Sequence, residues 1–503
     1  MQSTEKNIMW NFMGYVLPIL ITIIIIPFTI KLLGTENFGV LSLIWVIVGY
    51  SSFLDFGVGR ALTHYISSNK FTEMQSYIPS AVKKVLTLLF CISLIVTLTI
   101  FFSIEYILSV FQNSSFINDS DLLLSSKIAI ITAFFVVISS AVRGVLEGYE
   151  EFKYINLVRL FSGLSISLSP FIIYYFVPQL WLVILSFLFI CMLEVVLYTI
   201  IVKVKLGNIK KRRSLTFGKL KVILSFGWWS NLTNIIGSPM AAAYLDKAII
   251  ASLLGATALT YYSVPFDVIA RFLILPAMIT SVLFPLFSKL KNQIDEVDRL
   301  TMQALEIMGY LIAPVFITVI ILAKPLMHLW LGEISIFMFV TIQIFAVGKF
   351  AESLNFVLLA QIQALGRPDL TAKRHLLELP FYACGLYFAG KEFGLVGIAV
   401  VWSSWALIDL LILFCIRKKL TNIELPRSIR SGRLPLFYLS FFCIAYLSAA
   451  IFNDSNLALL LASTFILCAF YILGWKYYLD KNSREIMVVK FSQLIGRLKL
   501  KSM

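Results

Sequence analysis

Seventeen ionisable side chains of this 503-residue chain lie inside segments that are otherwise apolar. Eight are cations: Arg60, Lys127, Arg143, Arg159, Lys247, Arg271, Lys349 and Arg374. Eight are acids, Asp55, Glu194, Asp246, Asp267, Glu306, Glu352, Glu378 and Asp409, and the last is His64. A charge at the bilayer centre costs about 2.5–3.5 kcal/mol on insertion scales, so such groups face a partner or a wet cavity instead of lipid. The pairs Arg60/His64, Arg143/Glu147, Asp267/Arg271 and Arg374/Glu378 are each spaced by four, which puts both members on one helical face. By contrast, Leu434–Asn453 and Ser455–Trp475 carry no charge. The pattern describes a bundle around a charged, hydrated interior with two lipid-facing helices appended. That is how a transporter is organised.

The elements that must position these groups follow from hydropathy. A hydrophobic content of 59% and a mean hydropathy of +0.90 exclude an ordinary soluble protein. Fourteen apolar runs are long enough to cross a hydrocarbon core of about 30 Å, among them Phe38–Ile66, Ile223–Ser252 and Leu259–Phe287. The expected fold is an all-α polytopic membrane protein with fourteen transmembrane helices. With both termini cytoplasmic, 31 of the 42 Lys and Arg residues fall in inner segments and three, Lys31, Lys324 and Lys391, in outer ones. Omitting one span would invert every later loop and destroy that asymmetry. The net charge of +15 is thus a cytoplasmic lining suited to anionic lipid head groups, and no nucleic-acid partner is expected.

A short repeat divides the chain. Leu32-Leu33-Gly34-Thr35 recurs as Leu253-Leu254-Gly255-Ala256, and Gly148 is matched by Gly366 at a similar offset. Two parallel copies of six spans explain both. The expected organisation is a first lobe at 1–205, a basic cytoplasmic linker at 206–221 and a second lobe at 222–418. Spans thirteen and fourteen follow at 419–480, then a basic amphipathic tail at 481–503. In the tail Met487, Phe491, Leu494, Ile495 and Leu498 make an apolar face suited to the inner membrane surface. A cleft between lobes is where alternating access places a substrate. Pro18, Pro27 and Pro239 are expected to bend lobe-facing helices, and Trp228 and Trp229 read as interfacial anchors or as stacking surfaces for sugar. The six cysteines are scattered in apolar spans without metal-ligand spacing, so no metal is expected.

Several stretches carry a family likeness. The Gly34–Leu62 segment contains a Leu33-Gly34…Phe38-Gly39 turn and a Leu54-Asp55-Phe56-Gly57…Gly59…Ala61 segment. With Arg143–Phe152, Asp246–Val268, Leu283–Leu290 and Leu329–Gly332, it resembles the Wzx-type polysaccharide flippases, relatives of MATE exporters and lipid II flippases. The resemblance runs collinearly over about the first twelve spans. It implies two six-helix lobes plus two C-terminal helices. It also implies an undecaprenyl-pyrophosphate-linked oligosaccharide as substrate, moved from the inner to the outer leaflet of the cytoplasmic membrane, with glycan polymerase machinery as a further partner.

The charges suit such a cargo. Arginine offers fixed bidentate donors to phosphate. Arg60, Arg143, Arg159 and Arg374 come from four spans toward the cytoplasmic side and can form a loading vestibule. Arg271 and Lys349 fall near mid-depth, and Lys247 with Asp246 toward the outer end, so the seven cations describe a ladder. Asp55, His64, Asp246, Asp267 and Glu352 are candidates for proton or sodium coupling. Each assignment has a plainer alternative. Arg143, Arg159 and Arg374 can snorkel to the interface, and Asp267/Arg271 and Lys349/Glu352 can be internal structural pairs. Glu194, Glu306 and Asp409 have no sequence-local partner and suit pairing between helices. Arg60 closely follows Gly57 and Gly59, which permit close approach. No Walker-type loop, metal cluster or activated nucleophile is evident, so neither an enzyme nor a cofactor is expected. A lipid II-type flippase and a MATE-like ion-coupled exporter remain open alternatives, although the latter calls for a more acidic interior.

Overall fold

The computed structural model describes residues 2–51, 55, 57–69, 73–110, 120–207, 214, 223–225, 239–332, 335–424, 433–453, 455–480 and 483–485. Trp228, Trp229 and the apolar face of the tail lie outside them, as do the side chains of 2–16 and 239–244, including that of Pro239. Thirteen long helices run through the described residues: α1 (Gln2–Ser51), α2 (Val58–Asn69), α3 (Ile78–Val110), α4 (Ser120–Gly148), α5 (Phe152–Phe176), α6 (Leu180–Gly207), α7 (Pro239–Ala270), α8 (Ile274–Lys289), α9 (Ile294–Leu331), α10 (Ile336–Ala364), α11 (Pro368–Thr421), α12 (Arg433–Ile451) and α13 (Asn456–Leu473). Short 3₁₀ turns occur at Glu73–Tyr77 and Arg271–Leu273, and a π-helical turn at Gly474–Tyr478 closes α13. The protein is an all-α polytopic membrane protein.

Among the described residues, eleven helical segments are long and apolar enough to cross a membrane. Three of them change direction at one glycine: Gly34 in α1, Gly255 in α7 and Gly394 in α11, with φ of 79°, 84° and 60°. A side chain at such a φ would press on its own backbone, so only glycine makes these breaks at little cost. The two tetrapeptides that suggested a repeat share this conformation. Pro18 and Pro27 leave α1 helical, its one non-helical position being Gly34.

Two spans expected to be continuous are interrupted. Within Phe38–Ile66, α1 ends at Ser51 and α2 starts at Val58, with Gly57 at φ 69°. Within Leu259–Phe287, the 3₁₀ turn at Arg271–Leu273 separates α7 from α8. Pro276 follows three residues after that turn, and without an N–H it cannot bond back to Phe272, which loosens the helix there.

The chain forms two compact units, residues 1–263 and 264–503. In the first, α2 to α6 enclose an apolar core that includes Leu62, Val85, Val145, Ile155 and Tyr198. Its helices meet through small residues: a Cβ on Gly144 would lie 2.3 Å from the Gly59 carbonyl oxygen, and the Thr63 hydroxyl donates to the Gly144 carbonyl at 2.8 Å. Gly59 therefore serves contact between α2 and α4, whereas its sequence setting suggested close approach to a substrate. Near Gly34, the Thr260 hydroxyl donates to the Thr35 carbonyl at 2.6 Å, and the missing Cβ of Gly39 admits the Ala256 carbonyl.

In the second unit α9 and α10 are the most buried spans. At one end Arg417, the largest fully buried side chain, pairs with Asp298 and donates to the Ile423 carbonyl at 3.2 Å, while Gln361 donates to Asp298 at 3.2 Å. This closed set joins α9, α10 and α11.

Candidate functional site

In the first unit the break between α1 and α2 places three predicted residues. Asp55 is buried just ahead of the new helix, where its Oδ1 accepts from Gly57 N at 2.7 Å in an Asx-type turn and its Oδ2 from the Ser140 hydroxyl at 3.0 Å. Arg60 and His64 follow on α2, one turn apart and both exposed. Among the described residues no acidic group lies within 4.0 Å of Arg60.

A second group occupies α4, α5 and α6. Arg143 meets Glu147 at 3.4 Å, both half-exposed, and Arg159 donates to Asn156 at 3.1 Å. Glu194 accepts from Ser139 at 2.7 Å, and Tyr198 donates to the Ile155 carbonyl at 3.3 Å. These hydrogen bonds tie α6 to α4 through Glu194 and Ser139 and to α5 through Tyr198 and Ile155. In the turn that follows α4, burial pushes the Tyr149 phenol up from its ordinary pKa. Asp246 and Lys247 are both buried in α7, where Asp246 accepts from the Tyr262 hydroxyl at 2.5 Å and from Lys247 N at 2.6 Å.

In the second unit Lys349 and Arg374 are buried in neighbouring networks. Lys349 contacts Glu352 at 2.8 Å, and its ammonium lies 4.2 Å from the ring centres of both Phe266 and Trp402. Arg374 reaches Asp409 at 2.9 Å, Glu378 at 3.5 Å and His375 Nε2 at 2.8 Å. Asn355 donates to the other Asp409 oxygen at 3.3 Å, so α10 and both halves of α11 are tied together. Asp267 is half-buried on the last turn of α7. Arg271 opens the 3₁₀ turn that follows, is exposed, and has no acidic group within 4.0 Å among the described residues.

Five of the seven predicted cations thus have named neighbours or are buried, and two, Arg60 and Arg271, present guanidinium groups beside a break in a span with no acidic partner among the described residues. The acids without sequence-local partners acquire them from other elements. Glu306 on α9 accepts the Ser483 hydroxyl at 3.0 Å and Asp480 N at 3.4 Å. Sequence reasoning missed Phe266, Asn355 and Trp402. Asn355 lies three residues beyond Glu352 and Trp402 seven before Asp409, helical spacings that could have flagged both.

The comparisons with known proteins extend this picture. Residues 30–334 match the family model described as "Polysaccharide biosynthesis protein". The chain belongs to that family. As a polysaccharide biosynthesis protein it is 28% identical to a Shigella flexneri protein provisionally assigned as an O-antigen transporter, over 82% of this chain and 97% of that one. It is 21% identical to the lipopolysaccharide biosynthesis protein WzxC of Escherichia coli K12, over 87% and 86%. Among solved structures, an inward-facing MATE-family transporter of the MOP superfamily superposes with a TM-score of 0.68 at 13% identity, covering 82% of this chain and 98% of the other. The lipid II flippase MurJ in an inward closed conformation gives 0.67 at 14% identity, covering 94% and 99%. The chain shares the fold of these two solved transporters.

Proposed function

We propose that this polysaccharide biosynthesis protein is a flippase that carries undecaprenyl-pyrophosphate-linked oligosaccharide repeat units from the inner to the outer leaflet of the cytoplasmic membrane by alternating access. The observation that carries the reading is that Arg60 and Arg271 are exposed, have no acidic partner among the described residues, and each stand beside a break in a membrane span of a member of this family. Irregular backbone at membrane depth is tolerated where it lines a cavity, and interrupted helices are where transporters hold charged solutes. A guanidinium stays charged and offers two parallel donors to a phosphate, while the polyprenyl tail can remain in lipid. Arg143 and Arg159 are auxiliary cations in this reading, and Lys247, Lys349 and Arg374 support the walls. Asp55, His64, Asp246, Asp267 and Glu352 remain the groups to test for ion coupling.

Each helix that breaks at Gly34, Gly255 or Gly394 counts as two spans, which gives fourteen crossings. Two six-helix lobes at 1–205 and 222–418 then rock about the substrate. The 31-to-3 distribution of Lys and Arg supports both termini in the cytoplasm, and the glycan product makes a polymerase a natural neighbour. The test is Arg60→Gln and Arg271→Gln, scored by surface glycan at equal protein level and by transbilayer movement of lipid-linked glycan in liposomes. Each is expected to lower transport at least about tenfold, the loss of one charge-assisted bidentate contact of about 1.5–3 kcal/mol. Wild-type transport by both variants would remove the cation proposal, and failure of the wild-type protein to move the lipid would remove the flippase itself.

A further inference from the structure

The two appended helices contain a site that glycan transport leaves unused. Between α12 and α13 runs a groove of about 710 Å³, walled by Phe437, Phe441 and Ile444 on one side and Phe465, Ala469 and Leu473 on the other. Ser440 also lines it, but its hydroxyl donates to the Phe437 carbonyl at 2.8 Å, so the wall is apolar in effect. From Arg433 to Ile444 the groove follows α12 for about 16 Å at 1.5 Å per residue. That is about half of a 30 Å hydrocarbon core, the depth of one leaflet.

The mouth is polar and unusually built. Arg433 stands at it, exposed and without an acidic group within 4.0 Å among the described residues. Opposite, α13 ends in the π-helical turn Gly474–Tyr478, which brings both Tyr477 and Tyr478 to the groove. Tyr478 stacks on Phe437 with ring centres 3.8 Å apart, holding that turn against α12. Such turns are rare and concentrate at functional sites.

We propose that this groove binds one anionic phospholipid, with an acyl chain between the aromatic walls and the phosphate on Arg433. A slot one leaflet deep fits a phospholipid chain and is too short for a polyprenyl chain many isoprene units long. A single cation at the membrane surface favours an anionic head group by about 1 kcal/mol, or about fivefold. A zwitterionic head group sets its own ammonium against the guanidinium. The site stands whether or not the protein is a flippase; only its assignment to the cytoplasmic leaflet rests on the orientation proposed above.

The experiment is native mass spectrometry of the full-length protein after equilibration with vesicles of equal phosphatidylglycerol and phosphatidylethanolamine, with polyprenyl phosphate in a parallel arm. The wild type is expected to retain one phosphatidylglycerol about fivefold over phosphatidylethanolamine. Arg433→Gln should keep a bound lipid and lose the preference, and Ala469→Trp, which fills the groove, should lose the lipid. Ala469→Met, a milder filling, should weaken retention in the same direction if the tryptophan variant fails to fold. Equal retention of the two phospholipids by the wild type, retention unaffected by filling the groove, or preferential retention of polyprenyl phosphate would each overturn the assignment.

Discussion

Arg374 shows how a buried cation can be indispensable without touching substrate. Its guanidinium sits between Asp409 and Glu378 in a nearly solvent-free position, so removing it leaves two buried acids facing each other. Arg374→Gln is expected to destabilise the protein by about 3–5 kcal/mol, seen as early thermal aggregation in detergent. Adding Asp409→Asn should recover part of that loss, because only Glu378 is then left without its cation; equal damage in both would contradict the pairing. The sequence made Arg374 a member of the vestibule on the strength of its depth and its neighbour at i+4. What it could not supply was Asp409, 35 positions away across the Gly394 break, or Asn355 on α10. Arg60 follows Asp55 by five positions, yet among the described residues no acidic group lies within 4.0 Å of it.

Helix contacts depend on where backbone touches backbone. Gly144→Val would drive its Cβ into the Gly59 carbonyl, a group that cannot rotate aside, so little folded protein is expected in a membrane extraction assay. Gly207→Ala has open space around it and is expected to behave as wild type in the same assay. The apolar runs located the helices well because lipid imposes their length and hydrophobicity. They did not reveal the interruptions at Gly57 and at Arg271–Leu273. Both lie inside long apolar runs, where hydropathy is blind to a local torsion or to a proline three residues downstream. Hydropathy is equally silent on Asp298 and Arg417, whose pairing buries them where three helices meet.

The proposed cycle has an electrical signature. Carrying a pyrophosphate outward against an inside-negative potential moves negative charge downhill, by about 2.3 kcal/mol per charge per 100 mV. Liposomes given an inside-negative diffusion potential are expected to flip the lipid-linked glycan outward faster than unpolarised ones, and reversing the potential should slow them. A rate indifferent to voltage would mean that the head group's charge is compensated during the step. The start of the tail carries a practical consequence. Glu306 takes its hydrogen bonds from Asp480 and Ser483, both beyond the last crossing. A stop codon after Tyr478 would strand that carboxylate, and the shortened protein should lose thermal stability that Glu306→Gln restores. Reporters and affinity tags therefore belong behind residue 485, since an earlier junction would change the membrane domain it was meant to leave alone.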